Sequence, residues 1–396
     1  MSLYLERYAW PQSLFPNHEP PKDLSLVVVI PCFKEPDLIG ALESLDACTR
    51  PLGRVQVIVI VNESDEASKE AQEANQQTLC QLASYRSKFP LFVSHQILPE
   101  KKSGVGLARK IGMDEAVRMF RKSGNDGVIV CYDADCRCDS NYLVEIENAY
   151  QDHSVSAGIV FYEHQLHREH HEAILDYELY LRYYIDALRF TGFPYAYQTL
   201  GSCITVRCST YERVGGMNKR KAGEDFYFLN KTIPHGGFVE INNTTVRPSD
   251  RISDRVPFGT GKAVNDLVNN ECGYDVYHPN SFEDLRLFFS KIDSFWNEDK
   301  WKLPMTIATF LGDDWMDQIR TVKQSVNTKE AFFKRFFHWF DAFKILKYIH
   351  FCRDEFYHNV ELEEALDWLR FHVFMFKGTK ESQLIQLRYF DRTSKF

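Results

Sequence analysis

Residues 127–139 read Gly-Val-Ile-Val-Cys-Tyr-Asp-Ala-Asp-Cys-Arg-Cys-Asp, and this stretch is the most informative about the fold. A short apolar run, Val128-Ile129-Val130, leads into two carboxylates, Asp133 and Asp135. Such a run, bounded by polar residues, is typical of a buried strand. The carboxylates follow the end of that strand, which is where open α/β sheets bind ligands. Carboxylate oxygens placed there can hold a divalent cation, which in turn can hold a diphosphate.

Strand and helix patterns alternate on the amino-terminal side of this stretch. Continuous runs rich in β-branched residues predict buried strands over 26–30, 55–61, 92–97 and 128–132. Segments of helical character separate them, at 37–47, 66–85 and 105–120. Strands that alternate with helices form a mostly parallel sheet flanked by helices. We therefore predict an α/β fold.

The composition changes after this alternating pattern. Residues 158–201 are rich in tyrosine and are predicted to be mainly helical, with a further strand over 201–206. Beyond residue 261, Phe, Trp and charged residues recur at helical spacing, whereas Gly and Val become rarer. We therefore expect an α/β domain over 1–261 and a mainly helical extension over 262–396.

The overall composition argues against several classes of protein. The chain has 396 residues, 44% of them hydrophobic, which is enough for a catalytic domain with an appendage. A net charge of −8 does not favour binding to nucleic acid. No stretch is long and apolar enough to predict a transmembrane helix. The first residues lack the features of a signal peptide, so we expect a cytoplasmic location and reduced cysteines.

Four features follow one another along the α/β pattern and carry a resemblance. They are, in order, Pro31-Cys32-Phe33-Lys34-Glu35, then Asn62-Glu63-Ser64, then Gly104 to Lys110 followed by Asp133-Ala134-Asp135, and last Val214-Gly215-Gly216-Met217 followed by Glu224-Asp225. In this order the chain resembles the family 2 glycosyltransferases, which have the nucleotide-sugar-binding GT-A fold. The resemblance extends over residues 25–240. It implies a metal-dependent hexosyltransferase with a nucleoside-diphosphate sugar as donor.

The resemblance assigns several residues to the donor. Pro31 and Glu35 match a loop near the nucleotide. Asn62 and Glu63 match a segment that usually carries two Asp residues and a Ser, at the base and the ribose. Asn62 replaces the first Asp of that segment, and one residue of the segment is missing in this chain. The sequence therefore does not predict which nucleotide base the donor carries. Arg109 matches the Arg of an Ala-Arg-Asn stretch, although Lys follows it here.

The resemblance assigns the metal and the catalysis to four carboxylates. Asp133 and Asp135 match the Asp-x-Asp motif and would hold Mg²⁺ or Mn²⁺, with Asp135 the more direct ligand and Asp133 nearer the ribose. Glu224 and Asp225 match the Glu-Asp pair, whose Asp is the usual catalytic base. These residue types suit the chemistry, because a cation neutralises the charge on a departing nucleoside diphosphate. One carboxylate that takes the proton of the acceptor hydroxyl suffices for inverting transfer.

Alternatives stay open from the residues alone. The Asp-x-Asp motif also suits a solvated turn, and Glu224-Asp225 also suits the start of a helix. The fold supports retaining transfer, and it supports a non-catalytic protein that only binds a nucleotide sugar. A sugar nucleotidyltransferase would need a Gly-rich loop with Arg after the first strand, where this chain has Pro31-Cys32-Phe33-Lys34-Glu35. The acceptor hydroxyl, on a glycan, a lipid-linked molecule or a small molecule, is not predicted.

A group of three arginines has two interpretations. Arg247, Arg251 and Arg255 recur at four-residue spacing, and a glycine-containing segment follows them. Arginine suits bidentate contacts to phosphate, so this segment would close over the diphosphate, with Arg255 as a donor ligand. The interleaved Asp250 and Asp254 favour internal salt bridges instead.

Histidines and an aromatic segment are similarly ambiguous. His235 and His278 are both candidates for a third metal ligand. His167 and His171 are four residues apart and suit either a metal or a hydrated helix face. Residues 330–352 combine aromatic and basic side chains, so they suit either a peripheral membrane contact or packing in the core.

Overall fold

The computed structural model describes residues 2–166, 170–251, 259–269, 274–298 and 301–394. The chain divides into two compact units, one of Met1–Gln165 with Thr199–Lys262 and one of Leu166–Gln198 with Ala263–Phe396. The predicted boundary after residue 261 assigns 166–198 to the α/β domain, whereas the compact units group these residues with the later part of the chain. The division into a catalytic domain and an extension stays a proposal.

The elements up to residue 247 include, between residues 24 and 131, the alternation of strands and helices that the sequence predicts. They are α1 (Leu3–Arg7), β1 (Leu24–Cys32), α2 (Leu38–Asp46), β2 (Arg54–Ser64), α3 (Lys69–Ser84), β3 (Leu91–Leu98), α4 (Val105–Ser123), β4 (Val128–Cys131), β5 (Arg137–Cys138), α5 (Tyr142–Ala149), β6 (Ala157–Tyr162), α6 (His171–Phe190), β7 (Ile204–Arg207), α7 (Cys208–Arg213), α8 (Glu224–Thr232) and β8 (Phe238–Arg247). Helix α6 belongs to the second unit, and the others belong to the first.

An eight-stranded sheet forms the centre of the first unit, in the order β3-β2-β1-β4-β7-β6-β8-β5. Strands β3, β2, β1 and β4 are parallel neighbours, and β6 is parallel to β8. Strands β7 and β5 run antiparallel to their neighbours. The sheet is therefore mostly parallel and flanked by helices, which confirms the predicted α/β fold class.

The central strands explain why the prediction succeeds there. Every residue of Val27–Ile30 is buried, because a parallel sheet covered on both faces gives continuous apolar runs. Helix α4 packs closely on this sheet, and a Cβ added at Gly112 would lie 2.4 Å from Cγ1 of Val29. Strand β1 continues to Cys32, past the predicted end of the strand at residue 30 and through Pro31. The proline is tolerated because β4 pairs only as far as Val29, so Pro31 lies beyond that ladder.

Strands β6 and β8 are absent from the predicted elements. The prediction of mainly helix over 158–201 is wrong for residues 158–162, because Ala157–Tyr162 forms β6 and pairs with β7 and β8. All six of its residues are buried. Periodicity alone cannot distinguish such a short apolar run from a buried piece of helix.

The second unit is mainly helical, as predicted for the later part of the chain. After α9 (Thr260–Asn269), which crosses the boundary between the units, it contains β9 (Asp275–Val276), α10 (Asn280–Phe289), α11 (Ile292–Asn297), α12 (Met305–Leu311), α13 (Trp315–Gln324), α14 (Lys329–Trp339), α15 (Ala342–Glu355), β10 (Val360–Glu361), α16 (Leu362–His372) and α17 (Lys380–Thr393). Its core is aromatic and includes Phe288, Phe332, Phe336 and Phe340.

The aromatic segment 330–352 contributes to this core. It forms most of α14 and α15, and its buried side chains include Phe332, Phe336, Phe337, Phe340, Ile345, Tyr348 and Ile349. Of its two interpretations, the structure supports packing in the core. Among the described residues, no helix combines the length and apolarity needed to cross a bilayer.

Candidate active site

The carboxyl ends of three parallel strands place predicted site residues at one edge of the sheet. Strand β1 lies between β2 and β4 and is parallel to both. Glu35 follows β1, Asn62 and Glu63 lie near the end of β2, and Asp133 and Asp135 follow β4. This edge is where ligands bind in open α/β sheets.

Arg109 joins two of the predicted motifs. It lies in the second turn of α4, and only 2% of its side chain is exposed. Its Nη2 donates to Oδ1 of Asp133 at 2.6 Å, and its Nη1 donates to Oε1 of Glu224. The Asp-x-Asp motif and the Glu-Asp pair, which are far apart in sequence, are therefore connected through one guanidinium. We call Arg109, Asp133, Glu224 and Asp225 the acidic cluster.

Close packing of glycines holds α4 in this position. A Cβ at Gly104 would lie 2.6 Å from Cα of Lys221, and one at Gly106 would lie 2.3 Å from the carbonyl oxygen of Arg220. A Cβ at Gly201 would lie 2.7 Å from Nη1 of Arg109. Side chains at these positions would displace the backbone before α8 or the guanidinium itself, so these glycines have a packing role.

The acidic cluster has more negative than positive charge, since three carboxylates share one guanidinium. Burial raises the pKa of Glu224 to about 7, with Arg109 opposing this shift and Asp225 adding to it. Burial also raises the pKa of Asp225. Burial alone would lower the pKa of Arg109, but the charges of Asp133 and Glu224 raise it above its ordinary value. The guanidinium therefore stays charged, and the two carboxyl groups of α8 hold protons more tightly than usual.

Glu224 and Asp225 differ in what they can reach. The side chain of Glu224 is 3% exposed and is engaged by Arg109. Asp225 is half-buried, and its Oδ1 accepts a hydrogen bond from the backbone N–H of Phe226 at 2.7 Å. Asp225 is thus the member of the pair with surface available to a ligand.

A second ion pair lies at the same edge of the sheet. Arg251 donates from Nη1 and Nη2 to the two carboxylate oxygens of Glu35, at 3.0 and 2.7 Å. The hydrogen bond to Glu35 raises the pKa of Arg251, burial opposes the shift, and the charges of Glu35 and Asp135 add to it. Arg251 therefore lies near both a buried carboxylate and the Asp-x-Asp motif. Arg255, the predicted donor ligand, lies outside the described residues.

The end of β2 forms a polar network of its own. Asn62 and Glu63 are buried. Nδ2 of Asn75 donates to Oε2 of Glu63 at 3.1 Å and to the carbonyl oxygen of Asn62 at 3.2 Å. Nε2 of His95 lies 3.4 Å from Oε2 of Glu63. Sequence patterns do not identify Asn75 and His95, because they lie within α3 and β3 and in no motif.

Histidine ligands for a metal do not assemble in the part of the chain that the structure describes. No group of three or more His, Cys, Asp or Glu side chains is arranged there to hold a metal. His235 comes after α8, at the opposite end of that helix from Glu224, and its Nε2 lies 3.3 Å from Nη1 of Arg213. His278 belongs to the second unit, and His167 lies outside the described residues.

Comparison with known proteins gives similarity in structure only. No protein family matches the sequence, and no curated protein matches it. Residues 1–349 of Staphylococcus aureus TarS, in complex with UDP-GlcNAc, are 14% identical, with a TM-score of 0.44 over 76% of this chain and 91% of TarS 1–349. The mannosyltransferase PcManGT from Pyrobaculum calidifontis, in complex with GDP-Man and Mn²⁺, is 12% identical, with a TM-score of 0.38 over 82% of this chain and 90% of PcManGT. GalNAc-T7 with UDP, GalNAc and Mn²⁺ is 13% identical, with a TM-score of 0.39 over 78% of this chain and 56% of GalNAc-T7. Similarities of this degree say nothing about substrate or mechanism.

Proposed function

We propose that this chain is a glycosyltransferase that moves a sugar from a nucleoside-diphosphate sugar to a hydroxyl acceptor, with a divalent cation and with inversion. The observation that supports this most directly is the link through Arg109 between Asp133 and Glu224. It brings a motif suited to a metal-bound diphosphate next to a motif suited to a general base.

The side chains after β4 fit a divalent cation that arrives with its substrate. Mg²⁺ in such sites is bound by one or two carboxylates together with phosphate oxygens and water, so a cage of protein ligands is not required. Asp135 would hold Mg²⁺ or Mn²⁺, with Asp133 beside it. The excess of carboxylates in the acidic cluster favours a cation at this edge. When bound, the cation would neutralise negative charge on the diphosphate.

Asp225 suits the role of catalytic base. An acceptor hydroxyl is a weak nucleophile unless a nearby group takes its proton, and this assistance is worth about 10²–10⁴-fold in rate. The raised pKa of Asp225 makes its carboxylate a better proton acceptor than an ordinary aspartate. Glu224 is bound to Arg109, so its role is to position the start of α8. One base opposite the leaving group gives inversion, which the anomeric configuration of the product would test against retaining transfer.

Arg251 and Glu35 support binding of the diphosphate. Both terminal nitrogens of Arg251 donate to Glu35, so the guanidinium would act on a diphosphate through its positive charge, and the charge of Asp135 is among those that raise the pKa of Arg251. A diphosphate held at Asp135 would therefore be within the influence of this guanidinium. The donor base is not assigned, because Glu63 lies in the separate network with Asn75.

A thermal-shift screen tests the donor site directly. UDP, GDP, dTDP and CDP are added to the full chain with and without Mn²⁺, and one of them is expected to stabilise the protein only with the metal. A ligand at a hundred times its Kd adds about 2.7 kcal/mol to the free energy of unfolding. Asp135→Asn should remove the metal-dependent shift, whereas Asp313→Asn, at an exposed position in the second unit, should keep it. If no nucleotide stabilises the wild type under either condition, the proposal is wrong.

A further inference from the structure

Two thiols of the first unit lie in contact although they are 90 positions apart in the sequence. Sγ of Cys48, which follows α2, lies 3.6 Å from Sγ of Cys138 in β5. Cys48 is buried, Cys138 is half-buried, and both are free thiols. The sulfurs of a disulfide are about 2.0 Å apart, so an approach of about 1.6 Å would join this pair.

Hydrogen bonds of the backbone hold the two thiols next to each other. The backbone N–H of Cys138 donates to Oγ of Ser44 in α2 at 2.9 Å. The backbone N–H of Thr49 donates to the carbonyl oxygen of Ser140 at 2.7 Å. The segments that carry the thiols are therefore joined on both sides of the pair. A disulfide between segments that already lie side by side does not require a large movement of the backbone.

The two thiols differ in reactivity. The hydrogen bond with Cys48 lowers the pKa of Cys138, burial opposes this shift, and the hydroxyl of Ser44 adds to it. The hydrogen bond with Cys138 raises the pKa of Cys48, and burial raises it further. Because the thiolate is the nucleophilic form of cysteine, Cys138 is the more reactive member of the pair. Cys138 is also the more exposed member, so it meets an oxidant first and Cys48 is placed to resolve it.

We propose that Cys48 and Cys138 form a reversible disulfide when the protein meets hydrogen peroxide. The Cys138 thiolate attacks one oxygen of the peroxide, so that an S–O bond forms, the O–O bond breaks, and the departing hydroxide takes up a proton as water. The sulfur of Cys48 then attacks the sulfenic acid on Cys138. The S–S bond forms, the S–O bond breaks, and the hydroxide leaves as water with the proton of Cys48. Two thiols are thus oxidised while one peroxide is reduced to two waters, and an added dithiol reverses the bond by exchange.

The disulfide would act on the segment that carries the Asp-x-Asp motif. Asp135 precedes Cys138 by three positions. Helix α2 is held in the core by a buried apolar face, whereas β5 has two half-buried residues and lies at the edge of the sheet. When the sulfurs approach, β5 is therefore the element that moves, and Asp135 moves with it. For the donor site this consequence rests on the proposed function: oxidation weakens binding of the metal and nucleotide.

Peptide mapping of the full chain tests the bond itself. The reduced protein is treated with hydrogen peroxide, its remaining thiols are alkylated, and the digest is read by mass spectrometry. We expect the peptides of Cys48 and Cys138 to be linked in the wild type and to separate again with dithiothreitol. Cys48→Ser should lack the link, whereas the matched control Cys80→Ser, which replaces an exposed cysteine of α3, should form it as the wild type does. A wild type in which Cys138 is oxidised without a link to Cys48, or in which neither thiol reacts, would overturn the proposal.

Hydrogen exchange tests the effect on the Asp-x-Asp segment without any ligand. Amide exchange within residues 132–139 should change by about threefold or more on oxidation of the wild type, and it should not change in Cys48→Ser. Unchanged exchange in a linked wild type would overturn the effect on this segment.

Nucleotide binding tests the consequence for the donor site. In the thermal-shift screen, oxidation should reduce the Mn²⁺-dependent shift of the wild type by about half or more. If the reduced wild type shows no such shift, the proposed function fails while the linked peptide still decides the disulfide. If the reduced and oxidised wild type shift equally, the redox control of the donor site is wrong.

Discussion

Removing the guanidinium of Arg109 is the sharpest test of the acidic cluster. In Arg109→Met the length of the side chain is nearly kept, but Asp133 and Glu224 lose their shared positive charge. Removing one partner of a buried ion pair costs about 3–5 kcal/mol. Asp133 is 35% exposed and can be rehydrated, whereas Glu224 is 3% exposed. We therefore expect a loss of about 3 kcal/mol, most of it from Glu224.

Urea unfolding followed by circular dichroism at about pH 9 measures this loss, because Glu224, with a pKa of about 7, is ionised there in the wild type. Arg353→Met is the matched control, because Arg353 also pairs with a carboxylate, that of Asp354, but the two side chains are 39% and 55% exposed. Exposed ion pairs contribute at most about 1 kcal/mol, so the control should lose little stability. Adding Glu224→Gln to Arg109→Met removes the uncompensated charge and should recover part of the loss. A cost no larger than that of Arg353→Met, or no recovery in the double variant, would refute the reasoning.

Three other predictions concern the same edge of the sheet. The pKa of Glu224 is about 7 in the folded protein against an ordinary value of 4.5, so the folded state binds this proton more tightly than the unfolded chain does. The free energy of unfolding should therefore fall by about 3 kcal/mol as pH rises from about 4.5 to about 7. In Glu224→Gln, urea unfolding measured across this range should no longer show this fall. If the fall is unchanged in the variant, groups other than Glu224 cause it. Asp225→Asn should abolish sugar transfer while nucleotide affinity, measured by calorimetry, stays within about twofold; loss of both would indicate a structural carboxylate. Removal of divalent cations by EDTA should stop transfer and Mn²⁺ should restore it, and transfer that persists in EDTA would exclude the proposed role of Asp135.

The part of the fold that the sequence predicts is the part with a strong local pattern. Segments 26–30 and 55–61 are runs rich in β-branched residues, and both form central parallel strands that are buried on both faces. Strand β8 has no such run, since Asn242 and Asn243 interrupt it, and its partners β6 and β5 are distant in sequence. The sheet beyond β4 therefore depends on tertiary pairing that local patterns do not encode.

The same distinction applies to the candidate site. The motifs identify Arg109, Asp133 and Glu224 one by one, each from its own segment. The bonds between them join residues 24 and 115 positions apart, so no motif indicates that one guanidinium serves both carboxylates. The pairing of Arg251 with Glu35, 216 positions away, is equally invisible in the sequence. Sequence patterns thus identify candidate charged residues, and only the folded chain shows which of these residues form ion pairs with one another.

The glycines around α4 indicate positions at which substitutions should be poorly tolerated. Gly104, Gly106 and Gly201 bear no reactive group, yet added atoms there would collide with the backbone before α8 or with Arg109. A side chain at any of these positions would displace Glu224 without changing its chemical group. In a saturation library scored for activity, substitutions at these three positions should therefore be tolerated as poorly as substitutions of the carboxylates. Gly124 is exposed and has open space around it, so a substitution there would be opposed only by its left-handed backbone conformation.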